Sequence, residues 1–340
     1  MNQHIYFNCE PTKLTLNCKI TENCSTCRWS ENNSFDIFKS IFNEYLVVYG
    51  NNSKLYSIEF YDITKKKLNE NLTINNAHNN RIVNIKHYYY ELKNQEFILS
   101  SSQDGTIKLW QLYSIKNLLI LNHSPQREND LRLLCEMIFF NRTKNDYYII
   151  TARCQEIKIW NNKGENINTY AIGGTIFLTK YYYNFKYYLL YGGGGQTNIE
   201  IRDIENCEIL HKYQRSNVCH WAEIYEINNE KRVISADYGD KFIKIFDFDT
   251  EKLIKSILIE NNNFIYSFCL WNEKNILVGV DNSIKLFNIE EGKLIKELFS
   301  GKHFLSIFKF NHPILGDCLI ANEHSGEKDN QGRINLLSIS

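Results

Sequence analysis

The sequence predicts an all-β protein: one seven-bladed β-propeller of four-stranded antiparallel blades, with an N-terminal strand closing the last blade. Three observations predict it. First, a four-residue pattern of isoleucine, polar residue, aliphatic or aromatic residue and anchor recurs seven times. Its copies are Ile58-Glu59-Phe60-Tyr61, Ile107-Lys108-Leu109-Trp110, Ile157-Lys158-Ile159-Trp160, Ile199-Glu200-Ile201-Arg202, Ile243-Lys244-Ile245-Phe246, Ile284-Lys285-Leu286-Phe287 and Ile334-Asn335-Leu336-Leu337. Successive anchors lie 49, 50, 42, 44, 41 and 50 residues apart, a period that fits one four-stranded blade. Second, 22 Tyr and 20 Phe against 3 Pro among 340 residues suit many half-buried pleated strands. Third, turn residues punctuate the repeats where hairpins are needed, as at Gln103-Asp104-Gly105. Residues 1–340 are read as a single domain, because closed all-β arrays use this length for one.

The repeat around Trp110 supplies the template. Arg81 to Tyr90 is the first strand, Glu96 to Ser102 the second, Thr106 to Leu112 the third and Asn117 to Asn122 the outer fourth. Second strands recur at Tyr45 to Tyr49, Tyr147 to Thr151, Tyr187 to Tyr191, Arg232 to Ala236, Asn275 to Val280 and Cys318 to Ala321. Outer strands recur at Lys67 to Ile74, Glu165 to Tyr170, Glu208 to Tyr213, Lys252 to Ile259 and Lys293 to Phe299. The seventh repeat reaches Ser340 with no outer strand of its own. Residues 13–20 alternate in the manner of a strand and have no blade before them, so they are expected to complete blade seven and remove an open sheet edge.

The layout resembles the WD-repeat β-propeller family over nearly the whole chain. The strongest match is Ala77-His78 followed by the stretch from Ser100 to Leu112. The resemblance implies a hydrogen-bonded quartet of His78, Ser100, Asp104 and Trp110, a structural lock whose members satisfy one another. Other repeats keep fragments: Trp160 retains the indole, Asp237 and Asp281 fall near hairpins, and Arg202 stands where an aromatic is expected. The full quartet is expected in the second blade alone.

Several groups could carry chemistry, and each has a plainer reading. Cys9, Cys18, Cys24 and Cys27 include one C-x-x-C, the spacing of two zinc thiolates, but no second pair accompanies it. Reduced thiols and no metal are expected. The Gly192 to Gly195 run is followed by Gln196-Thr197 and a strand, whereas a phosphate cradle opens a helix; a hairpin turn is expected. The triplets Tyr88-Tyr89-Tyr90 and Tyr181-Tyr182-Tyr183 end equivalent first strands, and alternation must turn part of each outward. His78 and His303 precede first strands, which suggests structural roles for both.

No nucleophile elbow, zinc-protease helix, kinase signature or dinucleotide fingerprint is present, so no enzyme activity and no cofactor are expected. Lys plus Arg and Asp plus Glu are 39 each, which gives no long-range pull on nucleic acid or anionic lipid. No apolar run reaches the roughly 18 residues of a membrane span, and Met1 is not followed by a secretory segment. A soluble intracellular protein is expected, cytoplasmic first, with nucleus or cilium open. Propellers of the resembled family act as rigid platforms. The expected function is therefore a non-enzymatic protein–protein interaction scaffold, a subunit of a larger complex that needs no homo-oligomer. The other reading is a receptor for peptides or modified residues, for instance in a ubiquitin ligase, with Arg153 and Arg215 clamping an acidic group. The loops before first strands and the hairpins between second and third strands share one end, which places Arg81, Arg153, Gln155, Trp221, Tyr238, Phe264, Phe304 and His324 on the expected contact face.

Overall fold

The computed structural model describes residues 14–25, 35–51, 55–123, 135–141, 146–153, 156–172, 177–184, 186–193, 196–215, 219–227, 229–237, 241–259, 265–301, 303–324 and 331–339. The fold is all-β: seven four-stranded antiparallel blades, the architecture of a seven-bladed β-propeller. Among the described residues the only helical pieces are two single 3₁₀ turns, Glu70–Leu72 and Glu91–Lys93. The chain falls into two compact units, divided at the Leu178/Thr179 step.

Within the unit that contains Asn32–Leu178, the chain enters from the end of β1 (Leu14–Ser25), where Cys24 pairs with Asn51. Blade one is β2 (Phe35–Lys39), β3 (Tyr45–Asn51), β4 (Ser57–Asp62) and a two-residue β5 (Lys67–Leu68). Blade two is β6 (Ile82–Tyr90), β7 (Gln95–Ser102), β8 (Thr106–Gln111) and β9 (Lys116–Asn122). Blade three is β10 (Cys135–Asn141), β11 (Asp146–Arg153), β12 (Glu156–Trp160) and β13 (Asn166–Ala171). The outer strand expected from Lys67 to Ile74 is interrupted. The turn Glu70–Leu72 breaks it, and pairing resumes only as a bridge from Ile74 to Ile58.

The second unit holds the remaining four blades. Blade four is β14 (Phe177–Tyr183), which begins at the boundary, then β15 (Lys186–Gly193), β16 (Gln196–Asp203) and β17 (Ile209–Gln214). Blade five is β18 (Cys219–Ile227), β19 (Glu230–Asp237), β20 (Phe242–Asp247) and β21 (Leu253–Leu258). Blade six is β22 (Ile265–Asn272), β23 (Asn275–Val280), β24 (Ser283–Asn288) and β25 (Lys293–Ser300). Blade seven is β26 (Phe304–His312), β27 (Gly316–His324) and β28 (Gln331–Ile339), with β1 as its fourth strand beside β28.

The repeated motif occupies one place in every blade. Its isoleucines, Ile58, Ile107, Ile157, Ile199, Ile243, Ile284 and Ile334, are all fully buried. The anchors Tyr61, Trp110, Trp160, Arg202, Phe246, Phe287 and Leu337 lie directly across from Val47, Ile98, Ile149, Leu189, Val233, Ile276 and Leu319 of the second strands. Opposite the isoleucines, small residues recur: Gly50, Ser101, Ala152, Gly192, Ala236 and Gly279, with Asn322 in blade seven. The reason is steric. A Cβ on Gly50 would lie 2.9 Å from the Cβ of Ile82, and one on Gly279 would lie 2.7 Å from the carbonyl oxygen of Phe304, so the second strand runs hard against the next blade's first strand.

Core packing lies between successive blades. In the first unit, Val48, Ile58 and Phe60 of blade one pack with Ile85, Ile98 and Trp110 of blade two. The second unit repeats this across blades five and six, where Ile234, Ile245 and Ile257 meet Phe268, Val278 and Phe287. A third cluster joins Trp271 and Leu286 of blade six to Ile307, Leu319 and Leu337 of blade seven, and Leu14 of β1 completes it. Face-to-face burial of this kind removes apolar side chains from water on both sides of each sheet.

The turn after Ser102 differs from a two-residue hairpin. Gly105 has φ +84 and its N–H donates to the Ser102 carbonyl at 3.1 Å, whereas Asp104 keeps a negative φ. A single left-handed glycine closes a three-residue loop, which leaves the Asp104 side chain free to cap the loop.

Candidate interaction face

Blade two brings His78, Ser100, Asp104 and Trp110 together. The Trp110 indole N–H donates to Ser100 Oγ at 2.9 Å, and Ser100 Oγ lies 2.8 Å from His78 Nε2. Thr106 Oγ1 gives its hydrogen to Asp104 Oδ1 at 2.6 Å and the Asp104 carboxylate only accepts, so the ring must donate on its Nδ1 side and Nε2 takes the Ser100 hydrogen. His78 Nδ1 then carries the proton, facing Thr106 Oγ1 at 3.0 Å and Asp104 Oδ2 at 3.3 Å. Burial holds the imidazole's pKa below the usual histidine value despite Asp104. Asp104 is itself partly buried, yet hydrogen bonds from His78, Thr106 and the Asn79 N–H hold its carboxyl well below the usual carboxylate range. Every polar atom of the chain of contacts is occupied within the blade.

Blade three carries a second network of similar chemistry, though not the full quartet, because its acid occupies another place. Trp160 N–H donates to Thr151 Oγ1 at 2.8 Å, Thr151 Oγ1 lies 3.0 Å from His123 Nδ1, and His123 Nε2 lies 2.9 Å from Glu156 Oε1. The imidazole uses its nitrogens in the reverse order. The acid also sits on β12 and not in a hairpin, and that displaced carboxylate hid the equivalence in the sequence.

His303 pairs differently again. Its Nδ1 lies 2.9 Å from Oδ1 of Asp281, which also accepts from Tyr266 O–H at 2.8 Å. His303 leads into blade seven, whereas Asp281 belongs to the hairpin of blade six, so the pair ties neighbouring blades.

In blade four Arg202 replaces the indole by chemistry of its own. Its Nε and Nη2 donate to Glu200 at 2.9 and 2.7 Å, its Nη1 donates to the Cys207 carbonyl at 3.0 Å, and Tyr191 O–H donates to the same Glu200. Burial works against the Glu200 carboxylate, but these donors lower its pKa. Blade one repeats the motif, with Tyr49 O–H donating to Glu59 at 2.8 Å.

Of the residues expected on the contact face, Arg81 and Trp221 are half-exposed. Trp221 rests on the core of blades five and six and donates its indole N–H to Glu223 at 3.1 Å. Arg153 is nearly buried and donates to the His123 carbonyl at 2.8 Å, while Phe304 has no exposed surface. Arg215 is also buried, with Nη1 3.1 Å from Cys219 Sγ and its guanidinium over the Phe246 ring. Gln155, Tyr238 and Phe264 lie outside the described residues, as do Cys9 and Cys27; His324 is placed only as the end of β27. The glycine run is described up to Gly193, which pairs with Gln196 across the β15–β16 turn. The tyrosine triplets alternate as strands require: Tyr89 and Tyr182 are exposed, while Tyr88 and Tyr90 are buried.

Among the described residues no cluster of three metal-ligating side chains occurs, and no helix is long and apolar enough to cross a membrane. No family model matches the chain, and no curated protein matches it.

Proposed function

We propose that the protein is a non-enzymatic interaction scaffold of WD-repeat type, a single propeller domain that serves as one subunit of a larger intracellular assembly. The observation that carries this reading is the destination of its ionisable residues. His78, Asp104, His123, Glu156, Glu200, Arg202, Asp281 and His303 are each tied to partners within or between blades, which is how a rigid platform uses polar groups. A propeller presents its loop ends to partners, and the half-exposed Trp221 and Arg81 mark that end of blades five and two. Trp and Arg are enriched among residues that dominate interface energy. A receptor for acidic peptides is less well supported, because both guanidinium groups are buried against the protein itself: Arg153 donates to the His123 carbonyl, and Arg215 reaches from the end of blade four to Cys219 and Phe246 of blade five.

The test is affinity purification of the tagged chain from its native cells, followed by mass spectrometry, for the wild type, Trp221→Ala and Arg81→Glu. Specific co-purifying chains are expected to be lost from both variants while each still unfolds cooperatively within a few degrees of the wild type. Retention of the same chains by both variants would overturn the assignment of this end.

A further inference from the structure

Blades four and five meet in an aromatic corner at the end of the sheets opposite to the one just discussed. Tyr183, from the end of β14, and Phe248, from the turn after β20, have ring centroids 5.5 Å apart at 68°. Tyr181 stacks on Tyr183 at 5.9 Å and leans on Phe248 at 5.6 Å. Phe248 is a buried floor, whereas Tyr181 and Tyr183 are partly exposed walls. A cation occupies the corner. Lys231 Nζ lies 3.8 Å from the Tyr183 centroid and 5.6 Å from that of Phe248, and Lys231 follows directly on the β18–β19 turn, where Asn229 has φ +61.

Ring faces attract positive charge through their quadrupoles, but they accept no strong hydrogen bond. A primary ammonium brings three N–H donors that must find partners or stay hydrated. A quaternary ammonium brings none, and its methyl groups can lie flat on both rings, so the corner suits it better than the lysine that fills it. The electrostatic surroundings narrow the choice. Glu226 lies directly across from Lys231 in the β18–β19 pair and Asp249 follows Phe248 in the turn, so negative charge lies beside the corner; burial, Tyr183 and these two carboxylates together raise the pKa of Tyr181. That field favours a cationic peptide and opposes the phosphate carried by a choline headgroup.

We propose that the Tyr183–Phe248 corner binds a trimethylated lysine side chain of a partner peptide, and that Lys231 is the resident occupant which the ligand displaces. This site does not depend on the scaffold face proposed above. It is tested by calorimetric titration of the full chain with a short Gly/Ser peptide bearing one trimethyl-lysine, with its unmethylated counterpart and with phosphocholine. The proteins are the wild type, Lys231→Ala, and Lys231→Ala combined with Tyr183→Leu, which keeps apolar bulk but removes the ring face. The methylated peptide is expected to bind Lys231→Ala about tenfold more tightly than the wild type and about tenfold more tightly than the unmethylated peptide, with binding lost in the double variant. Equal affinity for the two peptides, or no binding to Lys231→Ala, would overturn the site; phosphocholine binding as tightly as the peptide would overturn its assignment to a peptide. In the wild type, NMR at high concentration of the methylated peptide should show a shift of the Tyr183 ring protons, and rings that stay unmoved there would count against the corner without any substitution.

Discussion

At the scale of single residues, the histidine networks make stability depend on pH in a direction that can be derived. Burial, reinforced by Lys158, lowers the pKa of His123 to about 4, and its hydrogen bond to Glu156 only partly opposes this. In the unfolded chain the same imidazole titrates near 6.5. Between those values the unfolded state binds a proton that the folded state refuses, so stability is complete above about pH 6.5 and falls as the pH drops toward 4. The shift corresponds to at most about 3 kcal/mol. Glu156 has a lowered pKa and acts in the same sense at still lower pH. His123→Asn should be less stable than the wild type at pH 7.5 but should lose less on going to pH 4.5. Urea midpoints at the two pH values measure this, and parallel losses would show that His123 titrates as it does in the unfolded chain. Buried groups that do not touch His123, His78 among them, contribute equally to both proteins and cancel in the comparison.

At the scale of the strand, the second position of the repeated motif shows how blades that look dissimilar solve one problem. Lys108 and Lys158 face Ser100 and Thr151, whereas Glu59 and Glu200 face Tyr49 and Tyr191, whose hydroxyls donate to them. The acid comes with a tyrosine, and in blade four also with the arginine that takes the anchor position. Arg202→Met should therefore cost about 2 kcal/mol by removing two charge-assisted hydrogen bonds from a buried carboxylate that keeps Tyr191 O–H and Lys212, whose Nζ lies 3.5 Å away, and adding Glu200→Gln should recover part of that loss. A double-mutant cycle in urea decides it, because independent effects would simply add. This logic also explains what the sequence made legible. The seven isoleucines and anchors could be read because strict alternation and a constant register leave each one no other environment. Less legible was which residues at the start of first strands reach the surface. Bulges at Ile82/Asn84, Cys219/Trp221, Ile265/Ser267 and Phe304/Ser306 break the alternation, so Phe304 and Leu305 are both buried although they are neighbours. The His123 network was hidden for a different reason: its acid has moved off the hairpin onto β12, the strand that also carries Trp160.

At the scale of the whole molecule, the first described strand has a weight out of proportion to its position. β1 supplies the outer strand of blade seven, and Leu14 is buried among Trp271, Leu298, Phe304 and Leu337. Ile20 is buried as well. Removing residues 1–22 would leave β28 with an open row of backbone donors and acceptors, the kind of edge that recruits other chains. It would also empty the Leu14 site, and truncating one such side chain alone costs about 2–5 kcal/mol. Against a usual folding margin of about 5–15 kcal/mol, the loss of a strand's hydrogen bonds together with two buried aliphatic residues is large enough to unfold blade seven. The truncated chain should therefore elute as soluble aggregate and lose its cooperative thermal transition. A synthetic peptide spanning residues 12–25, added during refolding, should restore a monomeric peak and most of the melting temperature, because the missing strand contributes through pairing and burial, neither of which needs the covalent link. A peptide in which Leu14 and Ile20 are replaced by Asp should fail to do so. A truncated protein that melts at the wild-type temperature without any peptide would show that β28 does not need this neighbour.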